Sequence, residues 1–261
     1  MSNKLLVVLS VLLTAASSVL TAGPVESITG PTQPVENPWS FNLSIYGWAT
    51  AIDGTISAGA RSAELDIAFK DILDHLDMAF MGGAELRYKR WGFLGELIYA
   101  RLHDDIAPPA GLVFSSTHEV IKETIGTLAL SYRVVAVAPA YLDVFAGARI
   151  YDFYAQIRLQ PNLGQVGVNN EGTNTWVDPI IGLRGRYYVS RAFFLNGYGD
   201  VGGFGAGSEL SWQVLGAVGV QAARWCDLQL GYRVLGFEYQ SGRATQEITT
   251  HGPIFAARFH F

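Results

Sequence analysis

Four of the five histidines, His75, His103, His118 and His251, fall near the longer polar connections of this chain. His103 is followed by Asp104 and Asp105, so an imidazole and two carboxylates stand where they could move protons or hold a metal. The spacing speaks against both uses. Neighbours on an extended strand point to opposite sides, so Asp104 and Asp105 cannot converge as a pair. No HExxH, GxSxG or phosphate-loop pattern occurs. The glycines between Gly202 and Gly207 close a hairpin and precede no helical pattern, so they read as a tight turn. Cys226 is the single cysteine, which excludes a disulfide scaffold. No catalytic residue, metal or cofactor is expected. The remaining chemistry lies in charges at alternate strand positions: Glu85, Arg87, Lys89, Glu96, Asp143, Arg149, Asp178, Arg184, Arg186, Asp200, Arg233 and Arg258. What they can do depends on which side of a sheet they occupy.

The elements that carry them repeat every two residues. Trp39, Phe41, Leu43 and Ile45 share one face, and Ser40, Asn42, Ser44 and Tyr46 share the other. Phe80, Leu86 and Tyr88 oppose Met81, Glu85 and Arg87 in the same way, and Val177, Ile181 and Leu183 oppose Asp178, Arg184 and Arg186. Tight connections fall near 89–92, 134–140, 190–191 and 224–227. Longer ones fall at 53–75, 103–117, 160–175 and 240–250, with a short one at 205–208. Ten strands lie between them: about 39–52, 77–89, 91–103, 117–133, 140–157, 175–189, 191–204, 209–223, 226–239 and 251–261. Twelve or eight are the alternative counts. Twelve arises because Ser62 to Phe69 alternates as well and could add a strand pair. Phe69, Ile72, Leu73 and Leu76 have helical spacing, so a short amphipathic helix is expected there.

Composition agrees with a sheet in lipid. Of the 261 residues, 49% are hydrophobic and 16% charged, against roughly 25% charged in an ordinary soluble domain. No apolar run beyond the N-terminus is long enough for a spanning helix, which takes about 20 residues. A barrel of alternating strands reconciles an apolar composition with that absence. The net charge of −5 argues against a nucleic-acid binder. Lys4 and the short apolar run Leu5 to Ala16 read as a secretory signal peptide over 1–22. A proline-rich periplasmic linker at 23–38 and a barrel at 39–261 follow. Aromatics suggest two interfacial belts. One comprises Trp39, Tyr88, Trp91, Tyr132, Tyr141, Tyr187, Phe193, Trp225 and Phe261; the other comprises Tyr99, Tyr151, Phe153, Trp176, Phe204, Trp212 and Phe237.

The chain ends with Phe255, Ala257, Phe259 and Phe261 on one face. On this ending, the leader and the alternation, it resembles bacterial outer-membrane β-barrel proteins, with 44–51 and 78–99 similar to small porin-like members. The resemblance implies an all-β, transmembrane, up-and-down antiparallel barrel with both termini in the periplasm. It also implies that Phe255, Phe259 and Phe261 form a signal read by the barrel assembly machinery. The expected partners are that machinery and outer-membrane lipid, with the protein a monomer. Omptin-type outer-membrane proteases resemble this chain in strand count and rim residue types, but their spaced motifs are not matched.

If the apolar face meets lipid, the twelve charges above line the lumen, seven basic and five acidic. They serve as an ion-paired plug or as a basic constriction for anionic solutes. Small lumen residues (Ser40, Ser44, Gly83, Gly147, Gly182 and Ser211) could leave a thin water path. The expected function is non-enzymatic: structural, or a narrow pore for small solutes. Surface binding or adhesion through the long loops is the alternative, and a rim hydrolase a further one.

Overall fold

The computed structural model describes residues 38–58, 61–106, 114–161, 168–242 and 244–261. In chain order the strands are β1 (Trp39–Trp48), β2 (Ala51–Ala58), β3 (Arg61–Ile67), β4 (Leu76–Tyr88), β5 (Trp91–Ile106), β6 (Phe114–Val137) and β7 (Ala140–Pro161). They continue with β8 (Val168–Tyr188), β9 (Phe193–Gly203), β10 (Leu210–Ala223), β11 (Cys226–Ser241) and β12 (Ala244–His260). Among the described residues one helix, α1 (Phe69–Asp74), sits where the 3.6-residue spacing placed it. Among the described residues no helix is long and apolar enough to cross a membrane. The leader and linker lie outside the described residues.

The strands β1 and β4 to β12 form a closed antiparallel barrel of ten. β1 closes it on β12, with Asn42 opposite His260 and Trp48 opposite Ile254. Closure leaves the ring no free edge up to the level of Ile45 and Gly82. The outward face is apolar: Leu43, Phe93, Leu130, Ile181, Val218 and Phe255 are all exposed. The inward face buries Glu85, Arg87, Asp143, Arg149, Asp178 and Arg233. Burying charge inside and exposing aliphatic side chains outside reverses the order of a water-soluble protein, and only a lipid surround makes it favourable.

The barrel is lopsided. A tilted strand rises about 2.6 Å per residue along the axis, from ~3.4 Å of length at roughly 40° of tilt. The 11 residues of β9 therefore span about one hydrocarbon thickness. The 24, 22 and 21 residues of β6, β7 and β8 stand well beyond it as a tall wall. Much of 103–117, 160–175 and 240–250, expected as loop, is strand in this wall or its neighbours. Polar alternation beyond the bilayer still pairs into a ladder when a partner strand is already in register.

β1 breaks its ladder at Ala49 and Thr50. Gly252 opposite permits the close approach of the two backbones there, because a Cβ on it would lie 1.8 Å from the Ala49 carbonyl oxygen. β2 then continues along the far half of β12, from Ala51 opposite His251 to Ala58 opposite Ala244. β3 pairs with β2 alone and ends the sheet, so 62–69 does yield a strand without enlarging the closed ring. The β1–β4 ladder stops at Ile45 opposite Gly82. Beyond that level the wall is split between the β2–β3 hairpin and β4, and α1 crosses from one side to the other.

Candidate functional site

The lumen charges form two layers. Nearest the short turns, Glu85 of β4 accepts hydrogen bonds from Arg184 of β8 at 2.5 Å, Arg258 of β12 at 2.6 Å and Arg87 at 2.9 Å. Asp143 of β7 accepts from Arg133 at 2.8 Å, Arg184 at 3.1 Å and Arg87. Beside it Arg186 donates to Asp227 at 2.8 Å, and His260 lies 3.0 Å from the same carboxylate. Halfway up, Arg149 holds Asp200 in a two-pronged pair at 3.0 and 2.5 Å, both side chains fully buried. Arg233 grips Glu96 likewise at 2.8 and 2.9 Å, and Gln213 bridges the two arginines at 2.7 and 3.3 Å. Tyr46 donates to Glu96 at 2.6 Å. Of these, Arg184–Glu85 (β8 to β4) and Arg233–Glu96 (β11 to β5) cross the lumen and brace the barrel across its width, whereas Arg149–Asp200 joins β7 to β9 on either side of β8.

The sequence-derived list places as follows. Glu85, Arg87, Glu96, Asp143, Arg149, Arg184, Arg186, Asp200, Arg233 and Arg258 all stand in these networks. Asp178 is inside too, accepting the Ser208 backbone N–H at 2.6 Å. Lys89 is not in the lumen: it sits exposed in the β4–β5 turn at φ 53°, with its ammonium 5.4 Å from the Tyr88 ring centre. The turn ends the strand before the alternation can carry Lys89 inward. Arg133 and Asp227 were missed because they lie at strand ends, where the register of a neighbour decides which face counts. The arginines face carboxylates, so the lumen is not a free basic constriction.

Between the layers lies a cavity of about 230 Å³, with Ser44, Gly83, Arg184, Gln229 and Arg258 among its lining residues. It does not continue through the glycines. The space beside Gly182 is filled by the Phe145 ring, and a Cβ on Gly147 would lie 2.0 Å from the Leu128 carbonyl oxygen. Ser211 is fully buried.

The second aromatic belt is corrected. Tyr151, Phe153, Trp176 and Phe237 point into the lumen, where Trp48, Ile98, Ile125, Leu235 and Ile254 complete an apolar layer above the Arg149–Asp200 level. Trp176 stacks on Tyr151 with 4.8 Å between ring centres and on Tyr239 with 4.1 Å. Tyr141 of the first belt also turns inward, with Arg133 4.0 Å over its ring. Parity is the signal that was available: Trp176 alternates with the outward Val177. The β9–β10 turn folds over this layer. Its Ser208 is fully buried, accepts from the Trp176 indole N–H at 2.9 Å and donates its backbone N–H to Asp178.

The backbone N–H of His103 donates to the carbonyl oxygen of His75 at 3.0 Å, which makes these two neighbours. His103 stands on the outward face of β5, and the side chains of Asp104, Asp105 and His118 lie outside the described residues. His251 sits on the outward face between Asp53 and Tyr232, 2.7 Å from each. Nε2–H donating to Asp53 leaves Nδ1 to accept from the tyrosine hydroxyl. Among the described residues no three His, Cys, Asp or Glu side chains are grouped to hold a metal.

Closed ring, apolar exterior and ion-paired interior decide the class. This is the fold of a bacterial outer-membrane β-barrel. Solved structures of such proteins superpose on it. The outer membrane protease OmpT from Escherichia coli is similar at a TM-score of 0.52 and 10% identity, over 89% of this chain and 100% of that one. The translocator domain of the autotransporter NalP from Neisseria meningitidis gives a TM-score of 0.46 and 11% identity over 97% and 95%. Neisserial surface protein A gives 0.31 and 14% over 86% and 98%. At such identities the likeness is one of fold. No family model and no curated protein matches the chain by sequence.

Proposed function

We propose that this protein is a non-enzymatic outer-membrane barrel whose lumen is sealed to solutes. On this reading it serves as a structural element that presents its tall β6–β8 wall to the exterior. The short turns and both chain ends face the periplasm, and the protein works as a monomer in lipid. The observation that carries the reading is the doubly braced lumen. The Arg184–Glu85 and Arg233–Glu96 pairs span it, the apolar layer covers them, and the β9–β10 turn folds over that layer. A conducting lumen would have to break buried ion pairs, each costing about 3–5 kcal/mol when one partner is lost.

The test is planar-bilayer recording on folded protein, identified by its faster migration before boiling. Absence of unitary steps is expected. Regular steps from the wild-type barrel would overturn the sealed lumen and favour the narrow pore.

A further inference from the structure

We infer that the split in the barrel wall admits a single alkyl chain from the surrounding lipid, and that the apolar layer of the lumen binds it. The ligand class is a one-chain amphiphile with a hydrogen-bonding head. It reaches the lumen sideways, so the site is compatible with a lumen closed from end to end. On the orientation proposed above, the leaflet that supplies it is the outer one, and nothing else in the inference rests on that orientation.

Three features meet at one place. The interior of a membrane barrel is ordinarily polar. Here the layer formed by Trp48, Ile98, Ile125, Leu235, Phe237 and Ile254 is apolar. That layer is reached at the split: Trp48 of β1 and Met81 of β4 stand on its two sides, and both pack on the layer. Just below, Tyr46 and Ile254 also line the 230 Å³ cavity, which offers room for the end of a chain.

The depth is right for lipid. Met81 lies seven residues from Tyr88 and Met78 ten, so at ~2.6 Å per residue the split occupies about 18–26 Å above the short-turn belt. This is the far edge of a hydrocarbon band about 25 Å tall. Backbone groups without a ladder partner are tolerated at such depth only where protein, water or a polar ligand meets them. A hydrogen-bonding head at the upper end of the split would meet the free edge of β4 while its chain lies against Met81 and Trp48.

The helix α1 connects β3 to β4 at that upper end. It buries none of its residues, and Phe69 and Leu73 are exposed. Six residues make a helix that is marginal by itself. It can shift without disturbing the ring below.

The test uses the full barrel in phosphatidylcholine vesicles with dodecanoic acid carrying a terminal diazirine. After irradiation, labelled residues are mapped by peptide mass spectrometry. Label on Trp48, Met81 or Ile254, besides outward residues such as Phe80 and Leu97, is expected. Label confined to outward residues would overturn the site. In Met81→Glu, with folding verified by gel migration, interior label should fall at least fivefold while outward label stays unchanged. Unchanged interior label in that variant would overturn the split as the route. The readout is independent of conductance, so a conducting barrel would still report on this site.

Discussion

Replacing Asp200 by alanine removes the carboxylate that neutralises Arg149. Arg149 then keeps one described hydrogen bond, 3.3 Å to Gln213, and loses both bonds to Asp200. Tyr198 loses its acceptor at 2.7 Å as well. Both charged side chains are fully buried, so water does not take the place of the lost partner. Breaking a buried pair from one side costs about 3–5 kcal/mol. With an unfolding slope of about 2–3 kcal/mol per molar in urea, the midpoint should fall by roughly 1–2 M. The double variant Arg149→Met/Asp200→Leu removes both charges and keeps apolar volume, so it should recover most of the loss. The assay is urea unfolding in vesicles, followed by tryptophan fluorescence and gel migration. A midpoint shift under about 0.3 M for Asp200→Ala, less than about 1 kcal/mol on that slope, would show that the pair is hydrated and braces nothing.

Other perturbations separate packing, assembly and local order. Gly147→Val would drive a side chain into the Leu128 carbonyl, 2.0 Å from where its Cβ must sit; loss of the fast-migrating band is expected, and a normal band would refute the close approach. Phe261→Ser keeps the backbone bonds to Phe41 at 2.9 and 3.2 Å. Refolding in detergent should therefore survive while assembly in cells falls severalfold, and equal losses in both would remove the role as an assembly signal. On α1, the hydrogen bond from Lys70 at 2.5 Å holds the Asp74 carboxyl below its usual range. The helix support is thus present above the ordinary aspartate value and lost as pH falls through the lowered one. Amide exchange over 69–75, corrected for intrinsic rate, should rise between pH 6 and pH 3, and a flat profile would refute the coupling.

Much of the barrel was legible because alternation is local. The period-two pattern of Trp39 to Ile45 needs no partner to identify its two faces, and the tight turns needed only their own residues. The same parity put eleven of the twelve charges inside and failed at Lys89, where a turn ended the strand. Four rings of the second aromatic belt failed for a different reason. Ring type was read as membrane interface at Tyr151, Trp176 and Phe237, while their parity already pointed inward. The extent of β6 to β8 was under-read because strands outside the bilayer carry no apolar face to mark them.

What the amino-acid order determined by itself is the class of surround: residues alternate between a lipid side and a lumen side, and helices cannot span. What only the tertiary structure decided is what the lumen does. Arg149 meets Asp200 across the one intervening strand β8, and Arg233 meets Glu96 because closure of the ring sets β11 across from β5, at separations of 51 and 137 residues. The split beside Met81 likewise exists only because β12 is long enough to take β1 on one half and β2 on the other. Alternation assigns each side chain a face; ring closure and strand length assign it a partner.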